Sequence, residues 1–255
     1  MKKIIIVKPL LISIFFAFLL LVPKLAVSAN LHLPGVSINL SNIQSNAQIA
    51  VAFKILLLLT VLSIAPALLI MLTSFTRIVI VLSMLRQALG MQQTPPNTVL
   101  ISLALLLTIF NMSPIFENIN TNAFQPYMNG KLDTKHAFEK AMKPLRIFMI
   151  KQTHEKDMAV ILEINHKKPP DNVDDIDNIY IISAYILSEL KTAFQIGFVI
   201  FLPFLLVDLV VASILMAMGM IMVPPMMISL PLKILMFVLI DGWVLVVQSL
   251  MGSFT

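Results

Sequence analysis

Cysteine is absent from the 255 residues, and with it go disulfides, thiolate metal sites and cysteine nucleophiles. That absence leaves the redox compartment open. Glycine is scarce, at seven residues, and no Gly-rich loop suited to cradling a phosphate is present. Aromatics with a polar handle are few: three Tyr and one Trp, against 17 Met. Charge is thin as well, at 12% of the chain, where soluble domains carry about 25%. What fills the space is apolar. Hydrophobic residues make up 58% and the mean hydropathy is +0.93, a membrane composition. The four histidines (His32, His136, His154 and His166) lie outside the apolar runs and lack metal-ligand spacing. Neither a metal, a cofactor nor a catalytic constellation is expected, so the chain should perform no covalent chemistry.

The formal net charge of +5 is concentrated at one end. Lys2, Lys3, Lys8 and Lys24 precede residue 30, and without them 14 basic residues face 13 acidic ones. No basic stripe remains to neutralise phosphates, so a nucleic-acid partner is excluded.

Residues 1–29 read as an export signal, with Lys2, Lys3 and Lys8 as its basic start and Leu10 to Val22 as its apolar core. Val27-Ser28-Ala29 offers the small residues at which a signal peptidase cuts. The alternative is an uncleaved first helix, against which Pro23 and Lys24 end the run early. Residues 30–48 then form a short polar leader outside the cytoplasm.

Four apolar runs follow, at about 49–72, 98–116, 193–218 and 228–251. Each approaches or exceeds the ~20 residues that cross ~30 Å of hydrocarbon. Pro66, Pro203 and Pro231 lie inside three of them, which implies neighbouring helices that re-satisfy the freed carbonyls. The connection 73–97 carries Arg77 and Arg86 and no acid, which places it in the cytoplasm. The long segment 117–192 then lies in the periplasm, and this agrees with a cleaved signal. It holds ten Lys/Arg and eleven Asp/Glu. From Thr134 to about Glu155 its apolar residues Ala137, Ala141, Leu145 and Phe148 fall on one helical face, and Asp133 suits the N-cap. Lys167-Lys168-Pro169-Pro170-Asp171 is a break, followed by acidic Asp174-Asp175-Ile176-Asp177. A second helical pattern runs from Ile179 into the third apolar run. An insert of this size cannot bury a large core alone and should pack on something else.

Charges inside the apolar runs carry the most information. Asp208 sits among Phe204, Leu205, Leu206, Leu209 and Val210, where an ionised carboxylate must be paired, protonated or beside a wet cavity. It reads either as a polar contact or proton-linked element inside an assembly, or as an interhelical hydrogen bond to Lys, Arg or Ser. Lys233 and Asp241 pose the same question and, eight residues apart, share a helical face approximately. Glu189 and Lys191 read as markers of the membrane boundary. The stretch 216–227 puts six methionines in twelve residues: Met216, Met218, Met220, Met222, Met226 and Met227. Gly219 and Pro224-Pro225 break the helix between them. Unbranched thioether side chains repack around different shapes, which suits a deformable constriction; the other reading is an ordinary turn in which Met replaces Leu.

Several long motifs resemble the FliP family of flagellar biosynthetic proteins. They are Pro66-Ala67-Leu68-Leu69-Ile70-Met71-Leu72-Thr73-Ser74-Phe75-Thr76-Arg77-Ile78, Arg86-Gln87-Ala88-Leu89-Gly90, and Gln93-Thr94-Pro95-Pro96-Asn97. Ser188-Glu189-Leu190-Lys191-Thr192-Ala193-Phe194-Gln195-Ile196-Gly197-Phe198 follows, then Phe201-Leu202-Pro203-Phe204 with Asp208. Ile228-Ser229-Leu230-Pro231-Leu232-Lys233 and Val238-Leu239-Ile240-Asp241-Gly242-Trp243 close the series. The resemblance implies an all-α membrane protein of about four hydrophobic helices in bent hairpins, 49–116 and 193–255, with a small helical periplasmic insert. Several copies would assemble with FliQ and FliR into a helical pore complex, the core of a type III export gate for unfolded flagellar substrates. Much of such a complex stands above the bilayer rather than crossing it. Other export-apparatus and basal-body MS-ring proteins and membrane lipid would be its further neighbours, in the inner membrane at the flagellar basal body. The family's methionine-rich gasket corresponds to Met220, Ile221 and Met222, with stiffer Ile221 where a third Met is usual. Arg77, Arg86, Glu189, Lys191, Asp208, Lys233 and Asp241 would hold subunits and partners in register. The rival readings are a proton-coupled transporter titrating at Asp208 and Asp241, and a basal-body assembly scaffold that conducts nothing.

Overall fold

The computed structural model describes residues 32–33, 36–37, 46–167, 175–220 and 222–254. The expected signal segment, most of the leader, the centre of the break after Lys167, and Ile221 lie outside the described residues. The chain divides into two units, Met1–Ile64 and Ala65–Thr255.

In the first unit β1 (His32–Leu33) and β2 (Val36–Ser37) pair antiparallel, His32 opposite Ser37 and Leu33 opposite Val36. Helix α1 (Asn46–Met71) begins there and ends in the second unit. Phe53, Leu56, Leu58 and Leu62 are all exposed, so apolar side chains stand bare along this helix. Thr60 and Ser63 donate their hydroxyls to the carbonyls of Leu56 and Leu59, one turn back. That back-bonding lets a polar residue sit in an apolar helix without an outside partner.

The second unit is helical among its described residues. Helix α2 (Phe75–Ala88) is its amphipathic member: Arg77, Ile78, Val81, Leu82, Leu85 and Ala88 recur every three to four residues and are all buried. Gly90 ends it in the left-handed conformation (φ +77), with Met91 N–H donating to the Arg86 carbonyl. Helix α3 (Asn97–Ile119) runs on through a π turn at Asn120–Phe124 into α4 (Gln125–Met128). Helix α5 (Thr134–Gln152) starts at the predicted N-cap, where the Asp133 carboxylate accepts from the His136 N–H. Helix α6 (Glu155–Ile164) is short, and α7 (Asn178–Ala217) is 40 residues long, about 60 Å at 1.5 Å per residue. That is about twice the hydrocarbon thickness. Helices α8 (Pro225–Leu239) and α9 (Gly242–Gly252) complete the chain.

Helix α7 is the axis on which the others pack. Its buried stripe includes Ala184, Ser188, Ala193 and Gly197, two small-xxx-small pairs that allow close helix approach. A Cβ added at Gly197 would lie 2.2 Å from the Met84 sulfur of α2. The core gathers Ile78, Val81 and Leu82 from α2, Leu100, Ala104 and Met112 from α3, and Leu145, Phe148 and Met149 from α5. Phe148 meets Tyr185 edge-on at 5.9 Å. A second cluster joins Leu85, Ala88 and Leu89 to Phe204 and Phe237.

By length and composition, Asn97–Met128 and Asn178–Ala217 can each cross a membrane. The pair α8 and α9 makes a third only if a 68° bend is read as one broken span. The described residues thus hold two such helices, or three with the bent pair, where the sequence pattern predicts four runs. The fourth run is therefore not a straight helix. It folds over at Ile240-Asp241, where Asp241 adopts φ 54 and Gly242 presses against the Phe237 ring, which in turn meets Trp243 edge-on at 5.5 Å.

This elbow generates a test. A Cβ at Gly242 would lie 2.3 Å from two ring carbons of Phe237, while one at Gly252 meets nothing within 4 Å. Gly242→Ala should lower stability by about 1–3 kcal/mol through overpacking, and Gly252→Ala should not. Thermal unfolding in detergent compares the two; equal midpoints would show that the ring does not hold the bend.

Candidate functional site

Arg77 stands in the first turn of α2, on the face that α2 turns into the protein, and its side chain is 2% exposed. Glu189 faces it from α7 and is fully buried. The guanidinium meets the carboxylate with two bonds: Nε donates to Oε2 at 2.9 Å and Nη2 donates to Oε1. Nη2 also donates to Gln152 Oε1 at 3.0 Å. Nη1 donates to the Ser253 carbonyl at 2.8 Å and to Ser253 Oγ at 3.0 Å. Five N–H groups thus meet five acceptors, the full capacity of an arginine. The Phe254 ring lies 4.1 Å from the guanidinium carbon, and the Phe254 carbonyl accepts from Gln152 Nε2 at 2.9 Å. Four elements (α2, α5, α7 and the chain end after α9) converge on one cation. Four residues before Glu189, the buried Tyr185 donates its hydroxyl to the Thr73 carbonyl at 2.9 Å.

A second polar cluster ties α6 to the next turn of α7. Ser188 Oγ donates to Asp157 Oδ2 at 2.8 Å and accepts from the His154 N–H at 3.0 Å. Lys191 Nζ reaches Asp157 Oδ1 at 3.2 Å. Burial opposes the charge on Asp157, but the Ser188 hydroxyl and the Lys191 ammonium outweigh it and hold the carboxyl below the usual range.

The third cluster joins α7 to α8. Lys233 is buried, and its Nζ donates to Asp208 Oδ2 at 2.6 Å and to the Ala88 carbonyl at 3.2 Å. It therefore completes the ion pair and also supplies a cation to the C-terminal end of α2. Arg86 binds the turn after α2, through the Pro95 carbonyl at 3.1 Å and Asn97 Oδ1 at 2.7 Å.

These contacts alter two expectations and bear on a third. Glu189 is a fully buried partner of Arg77, not a surface marker of a membrane boundary. Lys233 and Asp241 do not share a helical face, because the elbow at Ile240-Asp241 separates them; Lys233 pairs instead with Asp208. Asp208 is thus paired, the interhelical bond that was the plainer of its two readings. Sequence reasoning missed Gln152, Asp157, Tyr185, Ser188, Ser253 and Phe254. The spacing of Tyr185, Ser188 and Glu189 on one helical face was the available signal.

The methionine-rich stretch runs from the last turn of α7 into the first turn of α8. Gly219 turns the chain at φ +73, with Met220 N–H donating to the Leu215 carbonyl at 2.9 Å, and Pro225 opens α8. Met216, Met218, Met222, Met226 and Met227 are well exposed, Met222 at 96%, and Met220 lies at the edge of exposure. A cleft of about 340 Å³ opens beside the loop, lined among others by Gly90, Gln92, Met226, Met227, Ser229 and Lys233. Among the described residues no group of three or more His, Cys or acidic side chains could hold a metal ion.

Long apolar helices, charges paired with one another, and a bare thioether loop fit a helical membrane protein. The sequence comparisons agree and go further. A profile of the FliP family matches residues 58–250. The chain is 52% identical over 217 residues to the flagellar biosynthetic protein FliP of Bacillus subtilis, covering 85% of this chain and 98% of that one. It is 47% identical over 239 residues to the protein of that name from Buchnera aphidicola, covering 94% of this chain and 62% of the longer relative. Against the one from Borreliella burgdorferi it is 44% identical over 211 residues, with 82% and 83% covered. The chain belongs to the FliP family.

Two outcomes follow from the polar clusters. Glu189→Ala leaves a buried guanidinium unpaired and should cost about 3–5 kcal/mol, whereas Arg77→Met with Glu189→Leu should cost less than either single change. Denaturant titration in detergent reads this, and a double variant as damaged as the sum of the singles would refute it. For Asp157, the lowered carboxyl contributes stability above the unfolded value of about 3.9 and loses it as pH falls through the lower folded value. Hydrogen exchange of α6 should therefore accelerate at acid pH, and Asp157→Asn should already show fast exchange at pH 7. An α6 equally protected in both proteins at pH 7 would contradict the assignment.

Proposed function

We propose that this chain is a core subunit of the flagellar type III export gate, building a protein-conducting channel with further copies of itself and with FliQ and FliR homologues. Flagellar biosynthesis is the role named for its relatives, and the match covers nearly the whole length of the Bacillus subtilis protein. Unfolded flagellar substrates pass, and the energy is supplied by other components. The setting is the bacterial inner membrane at the basal body, with the MS ring and membrane lipid as neighbours. Residues 117–192 form the periplasmic insert, following a cleaved signal at 1–29 and a leader at 30–48.

The observation that carries the reading is the loop 216–227, where six methionines stand at the end of a 40-residue helix with little protein over them. Met220, Ile221 and Met222 close the channel against ions, and Met216, Met218, Met226 and Met227 surround them. Thioether chains suit this task because they fill an irregular space and yield without breaking fixed packing. The pairing of Asp208 with Lys233 weighs against a proton-coupled transporter. Arg77, Arg86, Glu189, Lys191, Asp208 and Lys233 hold the helices of one subunit in register, and through them the surface offered to its neighbours. Asp241 sets the elbow.

The test is ion conductance of membranes expressing the full gate. Met220→Ala/Met222→Ala should leak where wild type is tight. An assembled complex without a leak would move the seal elsewhere and favour a scaffold without a conducting role.

A further inference from the structure

The methionines of the loop differ from those of the core in what can reach them. Met222 is 96% exposed and Met216, Met218, Met226 and Met227 are all open, whereas Met112 and Met149 are fully buried. The backbone keeps them outside. Gly219 turns the chain out of α7, the Met220 N–H is committed to the Leu215 carbonyl, and the stiff Pro224-Pro225 pair leads into α8. No cysteine exists in the chain to react first, so the exposed thioethers are its most oxidisable groups.

We propose that the loop 216–227 is a site of reversible methionine oxidation by peroxides, and that sulfoxide formation there opens the seal. The second half rests on the reading of the loop as a seal. In the reaction the thioether sulfur attacks a peroxide oxygen. An S–O bond forms, the O–O bond breaks, and the leaving hydroxide takes the proton of the transferred oxygen to depart as water. Sulfur is oxidised by two electrons and hydrogen peroxide is reduced. Each event turns a flexible apolar chain into a polar one with a strong acceptor. A hydrophobic constriction that holds ions back by staying dry is then wetted.

The experiment treats membranes containing the full gate with hydrogen peroxide, and reads sulfoxide by mass spectrometry and ion leak by conductance. Sulfoxide should form in 216–227 roughly tenfold faster than at Met112 and Met149, as exposure governs the rate. Leak should rise with it in wild type and fall again after methionine sulfoxide reductases are added, which requires no variant. Met218→Leu/Met220→Leu/Met222→Leu removes three of the six sulfurs, and its rise in leak on peroxide, measured against the same variant untreated, should be smaller than that of wild type. Met128, exposed on α4 and remote in sequence from the loop, serves as control: Met128→Leu should leave the peroxide response unchanged. Equal oxidation rates in loop and core, an oxidised loop without a leak, or a leucine variant whose peroxide-dependent rise in leak equals that of wild type would each overturn the proposal. If untreated Met220→Ala/Met222→Ala is tight, it is the seal reading that fails, and the loop-to-core rate ratio still decides the modification.

Discussion

A guanidinium enclosed in apolar protein has to find an acceptor for every N–H, and at Arg77 this requirement organises the second unit. Glu189 supplies two acceptors from α7, Gln152 one from α5, and Ser253 two from the end of the chain. Leaving such a charge unpaired costs several kcal/mol, comparable with the whole stability of many domains. The helices that supply the acceptors are therefore constrained relative to α2, and α9 must fold back far enough to bring Ser253 and Phe254 to the same point. The 68° bend between α8 and α9 accompanies this return of the chain end to Arg77.

The interior and the exterior of this protein follow opposite rules. Inside, charge is matched locally: Arg77 with Glu189, Lys191 with Asp157, Lys233 with Asp208. Hydroxyls in the apolar helices return to their own carbonyls, as Thr108 does to Ala104 and Ser213 to Leu209. Outside, long rows of Leu, Phe and Val are left bare on α1, α3 and α7. A surface of that kind is at rest only against lipid or other apolar helices, which fits a subunit built to be surrounded. The methionine loop is the adaptable part of that surface. A left-handed glycine and a proline pair set its bends, and unbranched thioether side chains adapt to irregular space.

Local rules were legible from residue order wherever one segment settles the matter. The Asp133 cap, the buried face of α2 and the breaks at Gly219 and Pro224-Pro225 all follow from neighbours a few residues apart. The helical identity of the four apolar runs did too. The partners of the buried charges were not legible, since Arg77 and Glu189 stand 112 residues apart, and Gln152 and Ser253 carry no pattern that announces them. The fourth run misled for a related reason. Its composition is continuous, and the bend comes from Phe237 packing on Gly242, a contact that hydropathy does not register.

By itself, the order of residues determined that this chain is helical and apolar, that its few intramembrane charges need partners, and that its flexible thioethers cluster at one turn. Those properties depend on covalent geometry, on burial preference and on spacings of three or four residues, all of which are local. Only the tertiary structure decided which charge meets which, that Glu189 lies inside, that Lys233 serves α2 and α7 at once, and that the last helix turns back on the core. Each of those is a choice among distant acceptors, made by the requirement that buried donors be satisfied together, and no single segment contains the information to make it.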